Sequence, residues 1–220
     1  MKNYDVVIIG AGAAGLMCAL TAGQRGRKVL VLDHAERMGN KILISGRGSC
    51  NFTNLYLDSK RYISDNTHFC KSALSRFTQY DFISLVEKHN ISYQERQSGQ
   101  LFCNGNSVEI LNLLLEECRL SDVKIQNRST IKKIKKDSCF NIKTNSEDYV
   151  AESLVIATGG LSMPAIGASG FGYEIAEQFG LKVLSRHPGL VPLTFSRDVL
   201  DDFSDLSGIS ADAVVSCNEQ

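Results

Sequence analysis

Residues Tyr4–Gly15 read Tyr-Asp-Val-Val-Ile-Ile-Gly-Ala-Gly-Ala-Ala-Gly (YDVVIIGAGAAG). A short apolar run that ends at glycine is the pattern of a buried parallel strand. Glycines 10, 12 and 15 then lead into a helix expected over Ala13–Arg25, with Leu16, Ala19, Leu20 and Gly23 on its packing face. Val29–Asp33 (VLVLD) reads as a second parallel strand and completes a βαβ unit. In that setting GxGxxG is a dinucleotide fingerprint. Gly10 permits the tight turn, Gly12 lets the backbone approach a pyrophosphate, and Gly15 lets helix and strand pack closely. The helix N-terminus offers N–H groups and a positive dipole end to phosphates. Asp33, at the tip of the second strand, is placed to accept hydrogen bonds from ribose hydroxyls and would repel a 2′-phosphate. A glycine-rich structural turn is the competing reading.

Past Asp33 the chain departs from a nicotinamide-binding domain, which would continue with alternating helices and strands. A polar loop comes instead: Gly39–Asn54, GNKILISGRGSCNFTN. A helix is expected over Thr78–His89, opened by a capping-box pattern of Thr78 and Asp81, with Phe82, Leu85 and Val86 on one face. Gln94–Phe102 reads as a hairpin around Ser98-Gly99. Ser107–Cys118 reads as an amphipathic helix with Val108, Leu111, Leu114, Leu115 and Cys118 in register. Several short strands follow between Lys124 and Glu152 (KIQN, STIKKIKK, CFNIKT, DYVAE), separated by turn signals. Ser153–Thr158 is a further buried strand ending at Gly159-Gly160, and a helix is expected around Gly172–Phe179. A β-meander followed by Ala157-Thr158-Gly159-Gly160 favours FAD over NAD as the ADP-containing ligand, because the larger cofactor needs a second turn near its pyrophosphate and ribityl chain. From Val191 the chain reads as β-rich (VPLTF, ADAVVSC).

The 220 residues hold 24 Lys+Arg and 24 Asp+Glu, so overall charge points to neither a nucleic-acid nor a membrane partner. No apolar run approaches the roughly 20 residues of a membrane span, and the N-terminus lacks a signal-peptide pattern. Seven cysteines without a C-x-x-C pair suit free thiols in a reducing cytoplasm better than disulfides or zinc. No Ser-His-Asp constellation stands out. His34, next to the ribose-binding acid, either borders the adenosine or is a surface histidine. Lys132, Lys133, Lys135 and Lys136 either attract RNA phosphates or form a solvated strand face.

Four stretches carry a resemblance: GAGAAG with Asp33; GNKILISGRGSCNFTN; SGQLFCNGNSVEI; and ATGGLSMPAIGASGFGYEIAEQFG with the following GLVPL. Together they make the chain similar to the bacterial BaiN/RdsA (YhiN) family of NAD(P)/FAD-dependent oxidoreductases, over essentially its whole length. The resemblance implies an α/β fold: a Rossmann-like FAD-binding domain of glutathione-reductase type, with a parallel sheet plus β-meander, over residues 1–190. The start of a β-rich inserted domain would follow over 191–220, this chain being an N-terminal portion of a longer flavoprotein. FAD contacts are implied from Gly10, Gly12, Ala13, Ala14, Gly15 and Asp33, and from Lys41, Ser45, Gly46, Gly48, Cys50, Asn51, Thr53 and Asn54 in the loop. Thr158, Gly159 and Gly160 are implied as well, with Ile131 meeting adenine through its backbone or serving as ordinary strand. Where family loops read Ser-Gly-Gly-Gly-Arg-Cys-Asn, this chain carries Arg47 and Ser49. Arg47 is then either a displaced site arginine or a solvent-facing one.

The implied chemistry is hydride transfer through the flavin from a transient NAD(P)H donor to an activated C=C bond, in an enone-like small molecule or a uracil ring of ribosomal RNA. Amine oxidation and a non-catalytic nucleotide-binding remnant are the alternatives. Reduction of such a bond needs a proton donor; Cys50 is the candidate, and packing against the cofactor is its other role.

Overall fold

The computed structural model describes residues 1–162, 167–189, 194, 196–206, 209, 214 and 216. The chain divides into two compact units, Met1–Leu181 and Lys182–Gln220. The first begins with strand β1 (Lys2–Ile9), helix α1 (Ala13–Gln24), β2 (Val29–Leu32), the short α2 (Asn40–Ile44) and β3 (Asn51–Asn54). It continues through α3 (Lys71–Arg76), α4 (Gln79–Lys88), β4 (Tyr93–Glu95), β5 (Gln100–Cys103) and α5 (Ser107–Leu120). It closes with β6 (Lys124–Gln126), β7 (Ile131–Lys136), β8 (Phe140–Thr144), β9 (Asp148–Ile156) and α6 (Phe171–Gln178). In the second unit the described residues include helix α7 (Arg197–Phe203). The β-rich readings VPLTF and ADAVVSC fall mostly outside the described residues.

The main sheet has six strands in the order β6-β2-β1-β9-β8-β7, and β3-β5-β4 form a separate antiparallel sheet. Strands β6, β2, β1 and β9 run parallel, while β9-β8-β7 is the expected antiparallel meander. This is a Rossmann-type α/β fold. Side chains alternate faces along a strand, and both faces of β1 and β2 are covered. Ile8, Val29 and Val31 pack with Leu16, Ala19 and Leu20 of α1 and with α5. Val7, Ile9, Leu30 and Leu32 pack with Ile134, Ile142 and Tyr149 of the meander and Ile175 of α6.

Three sequence expectations are corrected. DYVAE and SLVIAT form one continuous strand, because β9 pairs with β1 from Tyr149 to Ile156. Its partner β8 ends opposite Ala151, which leaves Glu152 and Ser153 exposed and polar within an unbroken strand. KIQN is not part of the meander; β6 adds in parallel to β2 at the opposite edge. Val108 lies on the outer side of α5 at 41% exposure, and the helix buries Ile110, Leu111, Leu113, Leu114 and Cys118 instead.

Helix starts follow local chemistry. Thr78 and Asp81 make the expected reciprocal capping box on α4. A second box, Asn106 with Glu109, opens α5. Glu117 of α5 is buried, yet its Oε1 accepts from Lys88 Nζ at 2.7 Å and lies 2.7 Å from His89 Nε2. The Lys88 ammonium, followed by His89, holds this carboxyl below the ordinary glutamate range against the opposing effect of burial. The ion pair joins the end of α4 to α5.

Candidate functional site

The turn after β1 is set by close approach. A Cβ on Gly10 would lie 2.4 Å from the Ala157 carbonyl oxygen, and one on Gly15 would lie 1.9 Å from the Gly10 oxygen. A side chain at either position would force the backbone to shift, because the β1 turn, α1 and the end of β9 meet there. Gly12 differs: a Cβ there would meet nothing within 4 Å. Its φ of −87° is ordinary, and as N-cap of α1 it provides no side-chain cap. The helix therefore presents its first N–H groups toward open space, with no acidic residue in the first turn to compete for them.

Asp33 is fixed from both sides. Its Oδ2 accepts from the Ala11 N–H at 2.6 Å, and its Oδ1 accepts from the Ala35 N–H at 2.8 Å. Each carboxylate oxygen keeps a further lone pair for a hydroxyl. His34 Nδ1 lies 3.7 Å from Oδ1.

Two clefts meet at this point. The larger, about 420 Å³, runs from Gly10, Gly12, Ala13 and Ala14 past Lys41, Ser45, Cys50 and Asn51 to Thr158 and Gly159. The smaller, about 270 Å³, is bordered by Ile131, Ser129, Thr130 and Phe171. Gly10, Asp33, His34, Thr158 and Gly167 line both. The structure thus brings together most of the residues singled out in the sequence, with Ile131 at one end and Cys50 at the other.

The remainder sit elsewhere. Gly15 lies beneath the turn, and Gly46 faces the Phe102 ring. A Cβ on Gly48 would meet nothing within 4 Å, yet Gly48 lines neither cleft. Thr53 is taken up in the pairing of β3 with β5. Asn54 donates to the Ser98 carbonyl at 2.9 Å and accepts from the Tyr56 N–H at 2.8 Å. Gly160 lies just past the cleft, where its carbonyl accepts from Lys41 Nζ at 3.1 Å; the same ammonium donates to Ser162 Oγ at 3.1 Å. Lys41 so ties α2 to the turn after β9. Arg47 is exposed and lines neither cleft, in keeping with its solvent-facing reading.

The loop between α2 and β3 is strained. Arg47 and Cys50 both have positive φ, 55° and 49°, a left-handed conformation that costs a non-glycine residue about 1–2 kcal/mol. Cys50 is buried. Burial pushes its thiol above the ordinary range, and the neighbouring Ser45 side chain opposes the shift. It is accordingly a thiol and not a thiolate at neutral pH. Sequence reading missed the apolar wall of the larger cleft: Phe52 of β3 and Phe82 of α4, with ring centroids 6.0 Å apart, and Met17, Ile110 and Leu114. It missed Arg37 at the rim as well.

Fold and site together define a dinucleotide-binding Rossmann-type domain of the FAD-binding class. The chain belongs to the family described as HI0933-like protein Rossmann domain, matched over residues 4–214. The family resemblance carried by the four sequence stretches is borne out. The chain is 50% identical over 216 residues to the ribosomal RNA dihydrouridine synthase of Escherichia coli (strain K12), a match covering 98% of this chain and 54% of that protein. It is 27% identical over 212 residues to the 3-dehydro-bile acid delta(4,6)-reductase of Clostridium scindens, covering 94% of this chain and 51% of that protein. The open conformation of a flavocytochrome c3 fumarate reductase superposes with a TM-score of 0.56 at 18% identity, over 80% of this chain and 40% of that one, which shows the fold alone. This chain spans about half the length of these two curated relatives. Among the described residues, no helix is long and apolar enough to cross a membrane.

Proposed function

We propose that this chain provides the FAD-holding part of a flavin-dependent reductase that saturates an activated C=C bond, with a uracil ring of ribosomal RNA as the substrate. The observation that carries the reading is the pair of clefts meeting at Gly10, Asp33 and Thr158. The smaller cleft suits adenine, with Ile131 beside it. Asp33 holds the ribose hydroxyls, and the uncapped start of α1 at Gly12–Ala14 faces the pyrophosphate. The larger cleft, walled by Phe52 and Phe82, takes the ribityl chain and the flavin ring. When bound there, FAD supplies hydride transfer, with NADH or NADPH as the electron source.

The chain's own residues do the rest. Lys41 fixes the turn after β9 that closes the cleft beside Gly159. Ser45 Oγ donates to the Ile42 carbonyl at 2.6 Å beside the Cys50 thiol, whose protonated state suits it to donate a proton to the carbon next to a carbonyl. The 50% identity to a ribosomal RNA dihydrouridine synthase supports the substrate, and that enzyme and the bile-acid reductase share by name the saturation of a carbon–carbon double bond. The test is direct. The purified chain is expected to carry or take up FAD and to lose its yellow colour anaerobically on addition of NADH or NADPH. Re-oxidation by uridine-containing ribosomal RNA with formation of dihydrouridine would support the substrate. A colourless chain that does not take up FAD would defeat the reading.

A further inference from the structure

The stretch between β3 and α4 leaves the larger cleft and returns to it. It starts just after Asn51 and Phe52 and ends just before Phe82, and all three line that cleft. Its base is held to the small sheet: Leu55 N–H donates to the Gly99 carbonyl at 2.8 Å, and Gln79 Nε2 donates to the Leu55 carbonyl at 3.1 Å. Between these anchors, residues 55–77 include no buried residue.

Large apolar groups are nonetheless held in this surface segment. Ile63 is fully exposed, Phe69 is 80% exposed, and Tyr62 and Phe77 are exposed as well. So many large apolar side chains exposed along one segment suit it to a contact role. Interleaved with it are Lys60, Arg61, Lys71 and Arg76, all exposed, and none makes an ion pair among the described residues. The two carboxylates of the stretch, Asp58 and Asp65, leave it net positive. Asp58 accepts from the Lys60 N–H at 2.9 Å and so caps the turn it begins.

Exposed aromatic side chains interleaved in sequence with cations that outnumber the carboxylates, Asp58 offsetting part of the charge of Lys60 and Arg61, match an unpaired polynucleotide, whose bases stack and whose phosphates need neutralising. A protein partner would equally use the aromatics but would not require the excess of cations. The other basic cluster offers no such pairing. Lys132, Lys133, Lys135 and Lys136 lie on β7, an edge strand, where lysines guard against strand pairing, and Lys136 sits over the Phe140 ring.

We infer that residues 56–77 form the platform for an unpaired stretch of the RNA substrate, with Tyr62 and Phe69 stacking on bases and Lys60, Arg61, Lys71 and Arg76 meeting phosphates. The inference rests on the RNA reading of the proposed function and adds the surface that presents the uracil to the cleft.

The experiment titrates the intact chain against a fluorescently labelled single-stranded oligouridylate at several salt concentrations, with FAD uptake and thermal melting followed on the same samples. The double variant Lys60→Glu/Arg61→Glu is expected to weaken binding by about tenfold or more and to lower the salt slope by about 1.4, at roughly 0.7 per phosphate contact. Tyr62→Ala/Phe69→Ala should weaken binding by about fivefold or more with the salt slope kept. Lys132→Glu/Lys133→Glu should leave binding within about twofold. All three should take up FAD and melt as the unchanged chain does, because the altered side chains are exposed. Absence of RNA affinity with FAD uptake intact would overturn the platform while sparing the flavin reading. RNA affinity that survives the platform variants and falls with the β7 variant would overturn it too. A chain that self-associates, and becomes monomeric with Phe69→Ala, would assign the surface to a protein contact instead. RNA binding through the platform in a chain that takes up no FAD would uphold the surface and defeat the flavin assignment alone.

Discussion

Gly12→Ala and Gly15→Ala add the same methyl group to the same turn and should fail in opposite ways. At Gly15 the new Cβ would start 1.9 Å from the Gly10 carbonyl oxygen and 3.0 Å from its carbon. The start of α1 and the β1 turn must then part by about 1 Å, and forced overpacking of this kind costs about 1–3 kcal/mol. For a domain of this size that is a drop of roughly 2–12 °C in melting temperature. At Gly12 the new Cβ meets nothing within 4 Å and the backbone φ of −87° suits alanine. Alanine is a poorer N-cap than glycine, so the loss of stability stays below about 1 kcal/mol. The methyl group would, however, occupy the space through which, on the proposed function, a pyrophosphate would reach the N–H groups of α1. Each charge-assisted hydrogen bond lost there is worth about 1.5–3 kcal/mol, so FAD affinity should fall at least about tenfold. Thermal melting without cofactor, beside a flavin fluorescence titration, separates the two effects. A Gly12→Ala chain that binds FAD as tightly as the unchanged chain, or that melts as low as Gly15→Ala, would overturn these roles for the two glycines.

Glu117 has a depressed carboxyl pKa in the folded chain, caused first by Lys88 and then by His89. Its contribution is therefore complete above the ordinary glutamate value of about 4.3 and is lost as pH falls through the lower folded value. Glu117→Gln should cost about 1–3 kcal/mol at neutral pH and flatten the acid side of a melting-temperature profile; an unchanged acid slope would contradict this. Cys50→Ala should retain FAD but lose about 100-fold in turnover if the thiol donates the proton. Full turnover in that variant would leave Cys50 as packing alone.

The parts of the fold legible in the sequence are those fixed by local chemistry. GAGAAG between two apolar runs, Thr78 with Asp81, and the Ser98-Gly99 hairpin all form as their residues dictate. The continuity of β9 was not legible, because Glu152-Ser153 is polar for a reason set by a distant strand: β8 stops opposite Ala151. The buried place of Glu117 depends on Lys88 and His89 from another helix, and no periodicity within α5 reveals it. The site shows the same division. Its glycines and Asp33 carry their roles in their spacing, whereas the wall of Phe52 and Phe82 arises only when the small sheet sets α4 beside the cleft. Asn54 illustrates the converse: a polar residue in a cofactor-like loop has its amide committed to Ser98 and Tyr56.

On the proposed function, this turn and its two clefts would hold an ADP-containing flavin. Equilibrium titration of the purified chain with FAD, with FMN, and with FAD in the presence of excess ADP tests it most directly. One FAD is expected to bind per chain and to be displaced by ADP, with markedly weaker binding of FMN, which lacks the adenosine that Asp33 and the Ile131 cleft would hold. Equal affinity for FMN and FAD, or FAD binding indifferent to ADP, would contradict it.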